Sequence, residues 1–432
     1  MPCGPEGAQG RRENEKVEKY KQKRYIIFAA CFITHLCIGV MHMWSVYQQH
    51  AVDFYGWASS QVSYTYSIMV GSFVIGGFIG GKIQDRVGPR RMVFTGALFV
   101  GLGYFMASVL RPSNPYFMLY LLFAFPVGFG IGSIYSPLIS CVQKWFPDKK
   151  GFATGFTVCA FGLSIVVFSP IAEHFLNTYT FPATMRIMGS IILVVSIFTS
   201  FFLKVPPEGY NDLFSGIRKT EAPLQKQYTT TQMVRTKAFW LIMTVGLLGA
   251  PVYFIINPTL RVMAEHRGLT PGLALSAVMI MGMFSTLGRF VTPTISDRTG
   301  RIPMLVLIAV SGLAASCLLI FANGPLFLLA VCITGFSFGS MPPIHSSSMS
   351  DLFGTEHSGG NYGLFMLISG LPSMVYPAIV NALLAAMPEQ RAYVMAFIGA
   401  IAVYIVEGVV VLFLPEPVKV ASGEITVQKQ ST

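Results

Sequence analysis

Apolar runs about twenty residues long, separated by short polar segments, fill the chain from 25 to 414. A helix needs about 20 predominantly apolar residues to cross the hydrocarbon of a bilayer, and twelve runs meet that length: 25–47, 59–82, 92–110, 115–142, 151–176, 184–204, 237–263, 271–295, 302–322, 325–350, 359–385 and 391–414. The pattern predicts an all-α membrane protein with twelve transmembrane helices. Composition agrees, because 53% of residues are hydrophobic and only 11% charged, against about 25% charged in soluble proteins.

The basic residues alternate sides. Clusters precede the first run (Arg11 to Arg24) and follow the second (Lys82, Arg86, Arg90, Arg91), the fourth (Lys144, Lys149, Lys150) and the sixth (Lys204 to Lys237). The opposite loops hold only Arg111, Arg186, Arg261, Arg267 and Arg391. The positive-inside rule then puts both termini and the central loop in the cytoplasm. The net charge of +11 follows mostly from this topology, with some attraction to anionic lipid headgroups. It is not a nucleic-acid footprint, since the cations are spread over separate loops. The first 24 residues lack the apolar core of a signal peptide, so the first run is expected to stay in the protein, in a plasma or bacterial inner membrane. Cys31, Cys37, Cys141, Cys159, Cys317 and Cys332 lie inside apolar runs without metal-ligand spacing. They are expected to be reduced packing residues, and no metal or cofactor is expected.

The chain carries an internal duplication. Asp85-Arg86-Val87-Gly88 after the second run returns as Asp297-Arg298-Thr299-Gly300 after the eighth, 212 residues on. Gly128-Phe129 with Gly132-Ser133 returns as Gly335-Phe336 with Gly339-Ser340, 207 residues on. Two matches at nearly one offset predict two six-helix repeats. The expected organisation is a basic N-terminus 1–24, a first bundle 25–204, a linker 205–236, a second bundle 237–415 and a tail 416–432.

One guanidinium stands inside the membrane pattern. Arg289 lies about 12 Å inside the end of the eighth helix at the usual rise. Arg at the middle of a spanning helix costs roughly 2.5–3.5 kcal/mol on insertion scales and tends to face a wet cavity or a partner. It cannot shed its charge, and its fork fits a carboxylate with two parallel hydrogen bonds. The competing reading is a purely structural pair with a neighbouring helix.

Twelve spans in two repeats, with Gly81-Lys82-Ile83-Gln84-Asp85-Arg86-Val87-Gly88-Pro89-Arg90-Arg91 after the second, resemble the major facilitator superfamily. Trp145-Phe146-Pro147-Asp148, Asp351-Leu352-Phe353-Gly354 and Asn361-Tyr362-Gly363 further resemble the oxalate/formate antiporter family. The 145–155 segment and the eighth-helix Arg are more distantly similar to the proton-coupled monocarboxylate transporters. The resemblance implies that Arg289 binds substrate. It also implies that the loops carrying Asp85, Arg86, Asp297 and Arg298 act as gates on the cytoplasmic side.

Two departures matter. The oxalate exchanger's second cation, a Lys in the eleventh helix, is Ser369 here. The monocarboxylate family's Asp one turn before its Arg is Ser285. With a single fixed cation, Coulomb matching favours one carboxylate over two. His42 stands where the exchanger has a pocket Tyr. With His35, seven residues earlier on the same helix face, it is a candidate for proton coupling, because imidazole titrates near neutrality. The rival role for both is an interhelical hydrogen bond. Tyr135, and Phe338 where the family has Trp, are candidate aromatic walls, with core or lipid packing as the alternative for Phe338. Glu407 is expected to hydrogen-bond locally or to snorkel.

The expected function is secondary active transport of a small monocarboxylate of the lactate, pyruvate or formate type by alternating access, with Arg289, His42, Tyr135, Phe338 and Ser369 around the substrate. Proton symport and anion exchange both stay open. The alternatives are an oxalate or dicarboxylate exchanger and, from another class, an organic-anion receptor or sensor that does not transport. No nucleophile–base set points to an enzyme. A monomer in the bilayer is the expected functional unit.

Overall fold

The structure, a computed structural model, describes residues 5–207, 210 and 227–415. Some side chains within helices, His42 among them, fall outside the described residues, as do the tail 416–432 and most of the linker. Among the described residues, twelve helices are long and apolar enough to cross a membrane. We number them α1 (Tyr20–Met41), α2 (Tyr64–Val87), α3 (Pro89–Val109), α4 (Phe117–Trp145), α5 (Lys150–Thr178), α6 (Phe181–Ser200), α7 (Lys237–Ile256), α8 (Ser276–Thr299), α9 (Arg301–Phe321), α10 (Gly324–Phe353), α11 (Ser358–Ala386) and α12 (Glu389–Leu412).

Each span begins or ends within a few residues of an apolar run, except where helix continues past it. The helix containing α1 starts at Pro5, in a stretch of Glu, Lys and Arg that favours helix without needing a core. At its other end a 3-10 turn, Gly39–Met43, carries the chain into a further helix, Trp44–Tyr55. Short helical turns past the apolar boundary stop at Gly56, whose φ of 69° closes the helix at a conformation only glycine adopts without strain.

Proline does not break this fold evenly. Pro137 in α4, Pro170 in α5, Pro293 in α8 and Pro342-Pro343 in α10 sit inside continuous helices. True interruptions fall in α7, where Gly249 and Ala250 separate Lys237–Leu248 from Pro251–Ile256, and in α11, where Gly370 and Leu371 separate Ser358–Ser369 from Pro372–Ala386. Ala250 has φ 55°, the positive value of a non-glycine residue among the described residues. Tyr376 on the Pro372–Ala386 piece of α11 donates to the Leu248 carbonyl at 3.2 Å, so one break supplies a donor to the other. That is how broken helices are tolerated at membrane depth: freed backbone groups find protein partners.

The packing repeats with the sequence. The pairs α2–α4, α3–α4 and α3–α6 in the first half correspond to α8–α10, α9–α10 and α9–α12 in the second. The halves meet along α5–α8 and α2–α11, which are also repeat-related. Leu98, Leu102, Phe105 and Val109 on α3, and Val406, Val409 and Leu412 on α12, are exposed. Such apolar faces suit lipid contact. Glu407, on α12, departs from expectation: it is 0% exposed and neither carboxyl oxygen has a hydrogen-bond partner among the described residues, so it does not snorkel.

At the end of the bundle carrying the basic loops, Arg24 forms a fork to Asp148, with Nη1 to Oδ1 at 3.2 Å and Nη2 to Oδ2 at 3.3 Å. Tyr210 of the linker is buried there. Its hydroxyl donates to the Trp145 carbonyl at 2.8 Å, and burial pushes the phenol up to about 12.

Candidate functional site

Arg289 is carried on α8 at the seam with α5, and the local sequence explains how it fits. On α5, Gly155 comes against the Arg289 carbonyl and the Pro293 ring, and Gly162 comes against the guanidinium itself. Backbones can approach this closely in a membrane only where the facing residues are small. Arg289 is 9% exposed. Its Nε and Nη1 are sealed from solvent with no hydrogen-bond partner among the described residues. Breaking a buried charge pair costs several kcal/mol, so a guanidinium built with donors left open fits an anion that arrives from elsewhere.

Three tyrosines from three other helices stand within electrostatic reach of this group: Tyr135 on α4, Tyr253 on α7 and Tyr362 on α11. Tyr135 packs edge-on against Phe73 and Phe161, with ring centres 5.4 and 5.1 Å away. Phe338 on α10 stacks flat on Tyr253 at 3.6 Å. Arg289 thus has tyrosines of both halves within electrostatic reach, a setting that offers a small organic anion two donors with aromatic side chains nearby.

Of the residues singled out from the sequence, Tyr135 and Phe338 belong to this group. His35 is 0% exposed, its Nδ1 is 3.0 Å from the Cys31 carbonyl, and its Nε2 has no partner among the described residues. Its ring lies edge-on to Tyr135 at 5.3 Å, one aromatic away from Arg289. His42 lies in the 3-10 turn that ends α1, and its side chain lies outside the described residues. Ser369 ends the Ser358–Ser369 piece of α11; its Cβ packs on Gly246 of α7 and its hydroxyl reaches back to the Met366 carbonyl at 3.5 Å. His345 is buried, with its ring over Phe365 at 5.0 Å and its Nδ1 2.8 Å from the Met341 carbonyl. Tyr253 and Tyr362 were not singled out as site residues. Tyr362 lies in the Asn361-Tyr362-Gly363 motif, but nothing in the apolar pattern marks Tyr253 as facing inward.

A second cluster joins the halves at the basic end. Asp297, at the end of α8, accepts the Gly151 and Phe152 amides at the start of α5, both at 2.8 Å. Asp85, at the end of α2, accepts the Gly360 amide at the start of α11 at 3.0 Å. Each carboxylate therefore caps a helix N-terminus of the opposite half, where the helix dipole and free N–H groups favour an anion. Lys150 pairs with Asp351 at 3.0 Å, and Gln143 donates to the Ser346 hydroxyl at 2.9 Å. Ser136 donates to the Gly359 carbonyl at 2.9 Å, and the Ser140 and Ser358 hydroxyls are 2.6 Å apart.

The arginines of the repeated motif are placed differently from the aspartates. Arg86 and Arg298 are exposed. Beside the second motif the buried arginine is Arg301, which holds Asp297 at 2.9 Å and Asp351 at 2.8 Å. Arg301 stands one residue after the motif's glycine, where the first repeat has Pro89, so repetition of Asp-Arg-x-Gly pointed to its neighbour instead. Among the described residues no three His, Cys, Asp or Glu side chains gather as a metal ion would require.

Known proteins agree with this architecture. The chain is 25% identical over 409 residues to the oxalate:formate antiporter of Oxalobacter formigenes, covering 91% of this chain and 93% of that one. It is also 25% identical over 358 residues to an uncharacterised transporter of Escherichia coli, covering 82% and 87%. The crystal structure of the E. coli fucose:proton symporter superposes with a TM-score of 0.69 over 92% of this chain and 99% of that one, at 13% identity, a likeness of fold alone. The sequence profile of the Major Facilitator Superfamily matches residues 27–377. A twelve-helix fold with repeat-related seams and a match of that extent make this chain a member of the Major Facilitator Superfamily.

Proposed function

We propose that this transporter carries a small monocarboxylate, of the formate, lactate or pyruvate kind, between two faces of a cell membrane. Both termini lie in the cytoplasm in this reading, and the Asp85 and Asp297 caps close the cytoplasmic side while the site faces outward. Arg289 binds the carboxylate. Tyr135, Tyr253 and Tyr362 line the site, and Phe338 braces Tyr253. The observation that carries the reading is the buried guanidinium whose Nε and Nη1 have no partner among the described residues, set at the seam between the halves.

The single cation argues for one carboxylate. A second carboxylate left unpaired in a poorly solvated site costs several kcal/mol, and Ser369 offers no compensating charge. Coupling follows either of two routes: exchange of one anion for another, or symport with a proton held at His35 or His42. The oxalate exchanger among the relatives keeps a dicarboxylate reading as the rival. Counterflow of carbon-14 formate and L-lactate into liposomes, with competition by unlabelled mono- and dicarboxylates at two pH values, tests the proposal. Monocarboxylates should compete and oxalate should compete weakly. Stronger competition by oxalate than by any monocarboxylate would overturn the single-charge argument, and binding without flux would make the protein a sensor.

A further inference from the structure

Resting on the proposed role of Arg289, we infer that Gly162 is a positioning residue: the bare backbone of α5 in one half sets the depth and direction of the arginine fork presented by the other. A Cβ at 162 would stand 2.7 Å from Arg289 Nη1, 3.5 Å from its Cζ and 3.2 Å from the Thr286 hydroxyl oxygen. All three are side-chain atoms. Gly155, two turns away on the same helix, differs in kind, because a Cβ there meets the Arg289 backbone carbonyl. Close packing of the two helices requires Gly155; the space at Gly162 is occupied by side-chain ends, the guanidinium nearest.

The geometry has a consequence for binding. Ordinary contact distances begin at about 3.5 Å, so any side chain at 162 pushes Nη1 aside by about 0.8 Å. A bidentate site tolerates displacements of about 0.5 Å. Thr286, whose hydroxyl is 3.0 Å from the Gly282 carbonyl, shares the space beside Gly162. The fork must then move away from α5, out of line with a carboxylate held against the tyrosines. Arg289 is thereby registered against the opposite half, and movement of α5 past α8 during transport changes the site directly.

Gly162→Ala tests this in reconstituted full-length protein, with formate and L-lactate as probes. The half-saturation constant should rise about tenfold or more, with turnover at saturation within about threefold and the melting temperature in detergent unchanged. Gly155→Ala should show the opposite split, losing folded protein. An unchanged half-saturation constant in Gly162→Ala overturns the inference, as does failure of that variant to fold, which would mean that the Cβ meets more than a mobile side-chain end. Arg289→Ala run in parallel separates the two claims: if it loses binding while Gly162→Ala does not, the substrate reading survives and the positioning role fails. A readout independent of cargo uses Gly162→Cys in a cysteine-depleted background. An anionic methanethiosulfonate should modify it faster than a cationic one, and Arg289→Ala should remove that preference. Equal rates with and without Arg289 would contradict the contact.

Discussion

Replacing Asp297 by Asn should release one of the two clasps at the basic end of the molecule. Asp297 accepts two backbone amides at 2.8 Å from the first turn of α5 and holds Arg301 at 2.9 Å. Asn can keep its carbonyl in the Oδ1 place, accepting from Gly151 and Arg301 without the charge, but turns its amide toward the Phe152 N–H. The lost interactions are one charge-assisted hydrogen bond, the ionic part of the other and one partly buried ion pair. Charge-assisted bonds contribute about 1.5–3 kcal/mol and an anion at a partly buried helix terminus up to about 2 kcal/mol. Because Arg301 retains Asp351 at 2.8 Å, part of the loss is recovered, and a net of about 2–3 kcal/mol is the reasonable figure. That weakens the closed arrangement by roughly 30- to 150-fold. Thiol labelling of a cysteine placed at Ser346, behind the clasp, should accelerate in the Asn variant. Arg298→Ala, at an exposed position, should leave labelling within about twofold of wild type. Equal labelling of wild type and Asp297→Asn, or a larger effect from Arg298→Ala, would refute the capping argument.

Three further changes probe other parts of the molecule. Asp148→Asn breaks the Arg24 fork at 3.2 and 3.3 Å and should cost about 2–4 kcal/mol, read as a fall of several degrees in the melting temperature in detergent; an unchanged melting point would show the pair to be ornamental. Phe338→Ala removes the ring stacked on Tyr253 at 3.6 Å, worth about 0.5–1.5 kcal/mol beyond its buried area. It should raise the half-saturation constant for the carried anion about threefold to tenfold without abolishing flux, and unaltered affinity would remove Tyr253 from the site. Ser369→Lys should shift competition toward oxalate by supplying a second cation, and a selectivity identical to wild type would show that the position does not see the substrate.

Much of this architecture was legible from residue pattern alone, because membrane-spanning helices announce themselves by length and by the side on which cations collect. Repetition of Asp-Arg-x-Gly located both caps, and the cost of a lone arginine in an apolar helix singled out Arg289. What escaped notice depends on three-dimensional register. Arg301, outside the repeated tetrapeptide, holds Asp297 and Asp351, while the motif's own Arg86 and Arg298 are exposed. Tyr253 follows the break in α7 at Gly249 and Ala250, and a helix break turns the face that periodicity would assign. Glu407 looks like a residue that could reach an interface, yet it is fully buried on α12, which packs against α9 and the Pro372–Ala386 piece of α11. Gly162 is one of 42 glycines and nothing in its neighbours marks it. Its importance lies in what stands opposite.

Initial-rate counterflow by Arg289→Ala and Arg289→Lys, measured in liposomes holding matched amounts of folded protein, tests the central claim most directly. The Ala variant should carry no anion above background. The Lys variant should retain only a few per cent, because a point charge replaces a planar fork. Wild-type flux in the Ala variant would contradict the assignment of the anion to Arg289.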